Sequence, residues 1–179
     1  MNGARRRAPT AGSPACILIQ HMRLRQRTDL PLCLRPGDDA PMDDIEYHWR
    51  GALTDAEMVE LITAHGGQAQ AGWWDQVRPY CLGWVTARRA DGLLVGFVNV
   101  AWDGGDHAVL LNTKVRSDCQ HHGIATEVVR VAVSHSRAAG CEWLHVDFED
   151  HLAPFYFDAC GFRPTLAGVI HLPGADPAG

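Results

Sequence analysis

The segment that most constrains the fold is a strand-like run followed by a short polar loop and an amphipathic helix. Val109–Val115 reads as a strand, and residues 124–139 carry apolar side chains at helical spacing up to Gly140. The loop between them contains Gly123, which can approach a ligand closely because it has no Cβ. The first N–H groups of a helix lack intrahelical partners, so such a loop can bind a phosphate or pyrophosphate. An ordinary turn has the same spacing, and both interpretations stay open on the spacing alone.

The pattern after residue 44 predicts an α+β fold. The other strands expected are Ile45–Trp49, Cys81–Arg88, Leu93–Trp102, Trp143–Phe148 and Val169–Leu172. The other helices expected are one from the capping box at Thr54 to Gly66, one at Trp73–Val77 and one at His151–Cys160.

A length of 179 residues fits one domain. Residues 1–44 are rich in Arg and Pro without sustained periodicity, so we expect a mostly disordered arm there, a folded domain over 45–172 and a flexible tail over 173–179. Three alternatives stay open for the arm: a transit peptide, a tether for an acidic partner, or non-native upstream sequence before a start at Met22 or Met42.

Composition argues against several classes of partner. The formal net charge of −5 disfavours non-specific nucleic-acid binding. No apolar run reaches the ~18 residues that a membrane-spanning helix needs. The six cysteines are widely spread without a CxxC pair, which indicates free thiols in a reducing compartment and hence a cytoplasmic location.

Two motifs occur in order on matching elements, and together they resemble those of the GCN5-related N-acetyltransferases, the GNAT superfamily. They are Gln120-x-x-Gly123-x-Ala125, and Leu144-x-Val146-x-x-x-Asp150-x-x-Ala153 followed by Gly161-Phe162. The resemblance covers roughly residues 45–172. It implies a mixed central sheet, splayed into a V and flanked by helices, that holds acetyl-coenzyme A between two parallel strands.

The resemblance also implies a set of residues around this co-substrate. Backbone groups expected beside the acetyl and pantetheine are those of Thr113, Lys114 and Val115. Backbone N–H groups expected around the pyrophosphate are those of His121, His122, Gly123, Ile124, Ala125 and Thr126. Asp150 stands where the family has an Asn that contacts pantetheine, and an ionised Asp can accept but cannot donate a hydrogen bond there.

The family often has a Tyr four residues before the Gly of the second motif, where it protonates the departing thiolate. Phe157 holds that position here, and Tyr156 lies one residue earlier, about 100° around a helix. Either a local bulge brings Tyr156 to the thiolate, or the enzyme has no Tyr acid and Tyr156 packs in the core.

His145 is the candidate base, because it stands at a position where some family members have Glu and because histidine titrates near neutrality. The alternatives are a hydrogen-bonded core histidine at 145, or Glu149, Asp147 or His107 as the base. The adjacent His121 and His122 could suggest a metal, but adjacent ligands rarely converge, so no metal is expected.

The acceptor side is the least determined part of the sequence. Trp73 and Trp74 fall where the family's first helices cover the acceptor cleft, and Asp103 falls near a hairpin. Aromatic and carboxylate groups suit an amine with an apolar body, although a Trp in the core is the plainer alternative.

The sequence therefore predicts an N-acetyltransferase that moves acetyl from acetyl-coenzyme A to a primary amine, on a small molecule or a peptide, by direct attack. Two alternatives stay open: a catalytically weak acyl-coenzyme A-binding regulatory module, and an adaptor directed by its basic arm. A homodimer is also left open.

Overall fold

A computed structural model describes residues 44–172, which form a five-stranded sheet with helices on both faces. The strands β1 to β5 are Ile45–Trp49, Cys81–Arg89, Leu94–Trp102, His107–Val115 and Trp143–Val146. The helices α1 to α3 are Asp55–Ala64, Trp73–Val77 and Ile124–Ala138. Short 3-10 turns span Arg78–Tyr80, Ser117–Cys119 and Asp150–Leu152, and a π-helical turn spans Phe155–Ala159.

The sheet has its strands in chain order, and neighbours are antiparallel except for β4 and β5, which are parallel. β5 pairs with β4 only along residues 107–110, so residues 111–115 of β4 have β3 on one side and no described strand on the other. The prediction of a mixed α+β sheet flanked by helices is confirmed, and the unpaired half of β4 opens the sheet on its β5 side. We call this region the β4 opening.

Two apolar clusters hold the layers together, because successive side chains of a strand point to opposite faces. One cluster joins the sheet to α3 and includes Val98 and Val128. The other lies under α1 and α2 and includes Met58, Trp74 and Phe97. Helix α1 starts with the predicted capping box, in which Thr54 and Glu57 each bond the other's backbone N–H.

The C-terminal elements differ from the prediction. Residues Val169–Leu172 form no strand: they are exposed and pair with none of the described strands, and Pro164 and Gly168 interrupt the segment before them. β5 ends at Val146 rather than Phe148, and among the described strands it pairs with the first half of β4 alone. The predicted helix over His151–Cys160 consists instead of a 3-10 turn and the π-helical turn.

Several predictions fall outside the described residues. These are the arm, of which only Asp44 is described, the tail over 173–179, and the thiols of Cys16 and Cys33. No helix within residues 44–172 is both long enough and apolar enough to cross a membrane.

Gly96 allows α3 to begin close against the sheet. A Cβ at this position would lie 2.8 Å from Ile124 Cγ2 and 3.1 Å from Ala87 Cβ. We expect Gly96→Ala to lower the free energy of unfolding by about 1–3 kcal/mol through overpacking, measured by urea unfolding. Gly105→Ala is the control, because its Cβ would come no nearer than 3.5 Å to any atom. Equal stability of the two variants would contradict this account of Gly96.

Candidate functional site

Helix α3 starts without a side-chain cap. Its N-cap is Gly123, at φ 78°, and the first helical bond runs from Glu127 N to Gly123 O at 3.1 Å. The N–H groups of residues 124–126 therefore have no intrahelical partner. Helix α1 of the same chain has its full capping box, so the open start of α3 is a local feature. Free N–H groups and the helix dipole make this start an anion-binding position.

The loop before α3 extends this position. His121 has a left-handed φ of 67°, and two residues later Gly123 is left-handed as well. Turns of this kind can point successive N–H groups into one concavity. The His122 ring is exposed and its Nδ1 donates to Gln120 O at 2.8 Å, assigned as the protonated nitrogen because a carbonyl can only accept. A Cβ on Gly123 would meet no atom within 4 Å, so open space lies beside this backbone.

Ile124, Ala125 and Thr126 form the first turn of α3. Ile124 is buried against the sheet, and the other two are half-buried. Their side chains therefore anchor the turn, while their N–H groups remain available to a ligand. Asp150 opens the 3-10 turn that follows β5 and is exposed.

A bulge in β4 lies within the β4 opening. The pairing register with β3 shifts between Phe97 and Asn99, opposite Asn112, which has a left-handed φ of 55°. Asn112 Nδ2 donates to Asn99 Oδ1 at 3.0 Å, and Asn99 Nδ2 donates to Cys81 Sγ at 3.3 Å. Asn99 is fully buried, so this polar chain fixes the bulge across three strands.

The backbone after the bulge faces the β4 opening at alternate residues. Arg116 N donates to Val95 O of β3 at 3.0 Å, so alternation turns the backbone of Thr113 and Val115 toward the opening and that of Lys114 toward β3. The Val115 carbonyl already accepts from His65 Nδ1 at 2.7 Å. Its N–H is therefore the group that Val115 offers a ligand. The Lys114 backbone faces β3, so this alternation does not favour the backbone contact that was expected between Lys114 and the co-substrate.

His65 and Lys114 contribute side chains near the same strand end. Burial lowers the pKa of His65, partly offset by its bond to the Val115 carbonyl, and Lys114 lowers it further. Burial also lowers the pKa of Lys114. His65 was not among the residues predicted from the sequence. The one sequence signal for it is its position at the end of α1, directly before Gly66.

Tyr156 reaches the β4 opening from the π-helical turn. Cys160 N bonds Phe155 O at 3.0 Å, an i to i+5 bond that accommodates one extra residue. Tyr156 is buried, its ring stacks on Phe148 at 4.6 Å, and its Oη donates to Thr113 Oγ1 at 3.2 Å. A local bulge of this kind is one of the two alternatives that the sequence leaves open for Tyr156. Burial raises the pKa of the Tyr156 phenol, and the bond to Thr113 offsets part of that rise.

His145 is exposed and lies on β5 opposite Val109 of β4. Its Nε2 lies 2.8 Å from His107 Nδ1. Thr113 is four residues further along β4, about 13 Å at the rise of a strand. His145 therefore lies on the same side of β4 as the opening, at a distance from Thr113 that a proton can cross only along a chain of several waters.

Of the three expected acceptor contacts, Trp73 and Trp74 are neighbours on α2 and Asp103 lies apart from them in the turn before β4. Trp74 is fully buried and packs edge-on against Trp84 and Phe97, at 5.0 and 5.3 Å between ring centroids, so the structure places it in the core rather than at a cleft. Trp73 is half-buried at the start of α2. Asp103 lies in the turn before β4, away from the opening, where its Oδ1 accepts from Gly105 N at 2.7 Å.

The described residues contain no group of three or more His, Cys, Asp or Glu side chains placed to hold a metal ion. His121 and His122 are both exposed on the loop before α3.

Several solved structures with the same fold are acetyltransferases of low sequence identity. A GNAT-family acetyltransferase from Streptococcus pneumoniae aligns with a TM-score of 0.63 at 16% identity, over 74% of this chain and 100% of its own. A GNAT-family N-acetyltransferase from Escherichia coli, in complex with coenzyme A, aligns with a TM-score of 0.57 at 14% identity, over 69% and 71%. The enzyme AAC(6')-Iy, in complex with a coenzyme A–acetylneamine bisubstrate analogue, aligns with a TM-score of 0.59 at 16% identity, over 74% and 100%.

No curated protein sequence matched this chain. The sequence model of the acetyltransferase (GNAT) family matches residues 42–162. That match includes the loop before α3, the β4 opening and the π-helical turn. Because it spans more than half of the sequence, the chain belongs to the GNAT family of acetyltransferases.

Proposed function

We propose that this protein transfers acetyl from acetyl-coenzyme A to a primary amine by direct attack of the amine on the thioester. The observation that carries the proposal is the uncapped start of α3, which is joined by the loop over 116–123 to the unpaired half of β4. An anion at the free N–H groups of 124–126 and a linear chain along the β4 opening match the pyrophosphate and pantetheine of this co-substrate. The coenzyme A complexes of similar structures support the same choice.

Each chemical step has a candidate group. The N–H groups of Thr113 and Val115 face the β4 opening, where they can polarise the thioester carbonyl as an oxyanion hole does. The amine nitrogen forms a bond to the acetyl carbon, and the carbon–sulfur bond breaks. Before the attack, His145 takes one proton from the acceptor ammonium through water. In the attack, Tyr156 gives its proton to the departing thiolate, and the attacking nitrogen returns its surplus proton to the resulting phenolate.

The acceptor is an amine on a small molecule or a peptide. A bisubstrate analogue built on acetylneamine occupies one similar structure, which supports a small-molecule amine. Trp73, half-buried at the start of α2, is the aromatic side chain that we assign to the apolar body of such an acceptor. The four described cysteines are free, which fits a reducing compartment, and we propose a cytoplasmic location.

Gly123→Val tests the binding of acetyl-coenzyme A. The new side chain occupies the open space beside the free N–H groups, so we expect affinity to fall at least tenfold, about 1.4 kcal/mol. Isothermal titration calorimetry with acetyl-coenzyme A measures this loss.

Gly140→Val is the matched control for Gly123→Val. Both glycines flank α3, both have a positive φ (78° and 95°), and neither has an atom within 4 Å of a built Cβ. The two variants therefore share the backbone strain, and only Gly123 lies at the proposed pyrophosphate position. Equal affinities of the two variants would remove the basis of the proposed binding mode.

A further inference from the structure

Two histidine rings meet across the parallel strands β4 and β5. His107 Nδ1 lies 2.8 Å from His145 Nε2. The ring planes differ by 14° and the centroids are 5.1 Å apart. That spacing equals the N–N distance plus the two ring radii, so the rings lie edge to edge and nearly coplanar. This is the geometry of an N–H···N hydrogen bond rather than of a face-to-face stack.

Asp106 favours one direction for the hydrogen bond between the two rings. Its Oδ1 lies 3.7 Å from Nε2 of His107, too far for a hydrogen bond but close enough to favour a proton on that nitrogen. The Asp106 backbone is fixed, because its carbonyl accepts from the N–H groups of Glu142 and Trp143 at 2.9 and 3.0 Å. A neutral imidazole has one donor and one acceptor nitrogen, so a proton on His107 Nε2 leaves Nδ1 as the acceptor.

The tautomer of His145 follows from that of His107. With His107 Nδ1 as acceptor, His145 must donate through Nε2–H. The lone pair of His145 is then on Nδ1. Both rings are exposed, so water reaches this nitrogen.

We propose that His107 is a positioning residue, which holds His145 in the Nε2–H tautomer and thereby keeps Nδ1 free as the proton acceptor. The inference rests on the proposed function, in which His145 is the base. In the step concerned, an N–H bond of the acceptor ammonium breaks and an N–H bond forms at His145 Nδ1 through water. The positive charge moves to the His145 ring, and Asp106 attracts it through His107.

The first experiment reads the tautomer without any turnover. Protein labelled with ¹⁵N-histidine is studied at pH 8 by long-range ¹H–¹⁵N correlation, which identifies the protonated ring nitrogen. We expect His145 to carry its proton on Nε2 in the wild type. His107→Phe keeps a planar ring but has no acceptor, so the fraction of His145 with its proton on Nε2 should fall to that of a free histidine side chain. In His107→Asn the amide oxygen can take the place of Nδ1, so the preference should persist. A wild-type proton on His145 Nδ1, or an unchanged spectrum in His107→Phe, would overturn the proposal.

The second experiment measures kinetics. We expect His107→Phe to lower kcat roughly tenfold, a part of what acid–base catalysis supplies, with the KM for acetyl-coenzyme A unchanged. His107→Asn should stay within threefold of the wild type. In a His145→Gln background, His107→Phe should lower kcat no further, because the two residues act as one unit.

These measurements distinguish failure of the positioning role of His107 from failure of the proposed role of His145 as the base. Additive losses in the double variant would overturn the positioning role of His107 alone. A fully active His145→Gln enzyme would show that His145 is not the base, and His107 would then have no part in the reaction.

Discussion

Tyr156→Phe is expected to lower turnover roughly 10²–10⁴-fold, the range that general acid catalysis supplies, while the affinity for acetyl-coenzyme A stays unchanged. The phenolic hydroxyl is the only group removed, because Phe keeps the ring that stacks on Phe148 at 4.6 Å. Burial raises the pKa of Tyr156, so the hydroxyl is protonated at neutral pH and can give its proton to the thiolate. Steady-state release of coenzyme A thiol gives turnover, and calorimetry gives affinity.

Two controls separate this acid from ordinary packing. Tyr47→Phe removes the hydroxyl of a half-buried tyrosine on β1, the strand at the opposite edge of the sheet from β5. This change should leave turnover unchanged. Thr113→Val removes the partner of the Tyr156 hydroxyl and should affect turnover less than Tyr156→Phe, because the proton donor remains. A loss below threefold in Tyr156→Phe would assign Tyr156 to packing and leave water as the acid.

His145→Gln is expected to lower turnover at pH 7 by roughly 10²-fold, again with unchanged affinity for acetyl-coenzyme A. Glutamine keeps similar size and hydrogen-bonding capacity but cannot titrate. The rate per bound substrate should therefore lose the acidic limb that a histidine base produces, which a pH–rate profile measures.

His48→Gln is the matched control for this variant, because His48 is also an exposed strand histidine but lies on β1, beside Glu46. We expect its rate and pH profile to equal those of the wild type. If His145→Gln also keeps both, His145 has a structural role, and water or a carboxylate such as Glu149 removes the proton.

Local patterns in the sequence predicted the parts of the fold that depend on near neighbours. The capping box at Thr54 and Glu57 joins residues three apart, and the start of α1 is where it was expected. Gly123 before an apolar helical pattern likewise marked the start of α3. The resemblance carried by the two motifs supplied the mixed sheet with two parallel strands, which periodicity alone did not contain.

Long-range contacts decided what the sequence did not predict. The bulge at Asn112 depends on Asn99, thirteen residues away on β3. Tyr156 reaches Thr113, 43 residues away, through a π-helical turn, whereas its spacing indicated only that a bulge was one of two alternatives. The pair of His107 and His145 spans 38 residues.

The residue types at Trp74 and Val169–Leu172 favoured placements that packing did not support. The resemblance placed Trp74 where the family's first helices cover the acceptor cleft, but here its side chain is buried against Trp84 and Phe97. Val169–Leu172 has strand-like residues, but a strand forms only against a partner, and none of the described strands pairs with it.

The most direct test of acetyl transfer is amine-dependent release of coenzyme A thiol from acetyl-coenzyme A. Purified protein is incubated with a panel of small-molecule and peptide amines, and each amine is then analysed by mass spectrometry for the gain of one acetyl group. We predict that at least one primary amine raises thiol release well above the rate of hydrolysis, with matching acetylation of the amine. Tight binding of acetyl-coenzyme A with no amine that raises thiol release would contradict the account and identify an acyl-coenzyme A-binding regulatory module.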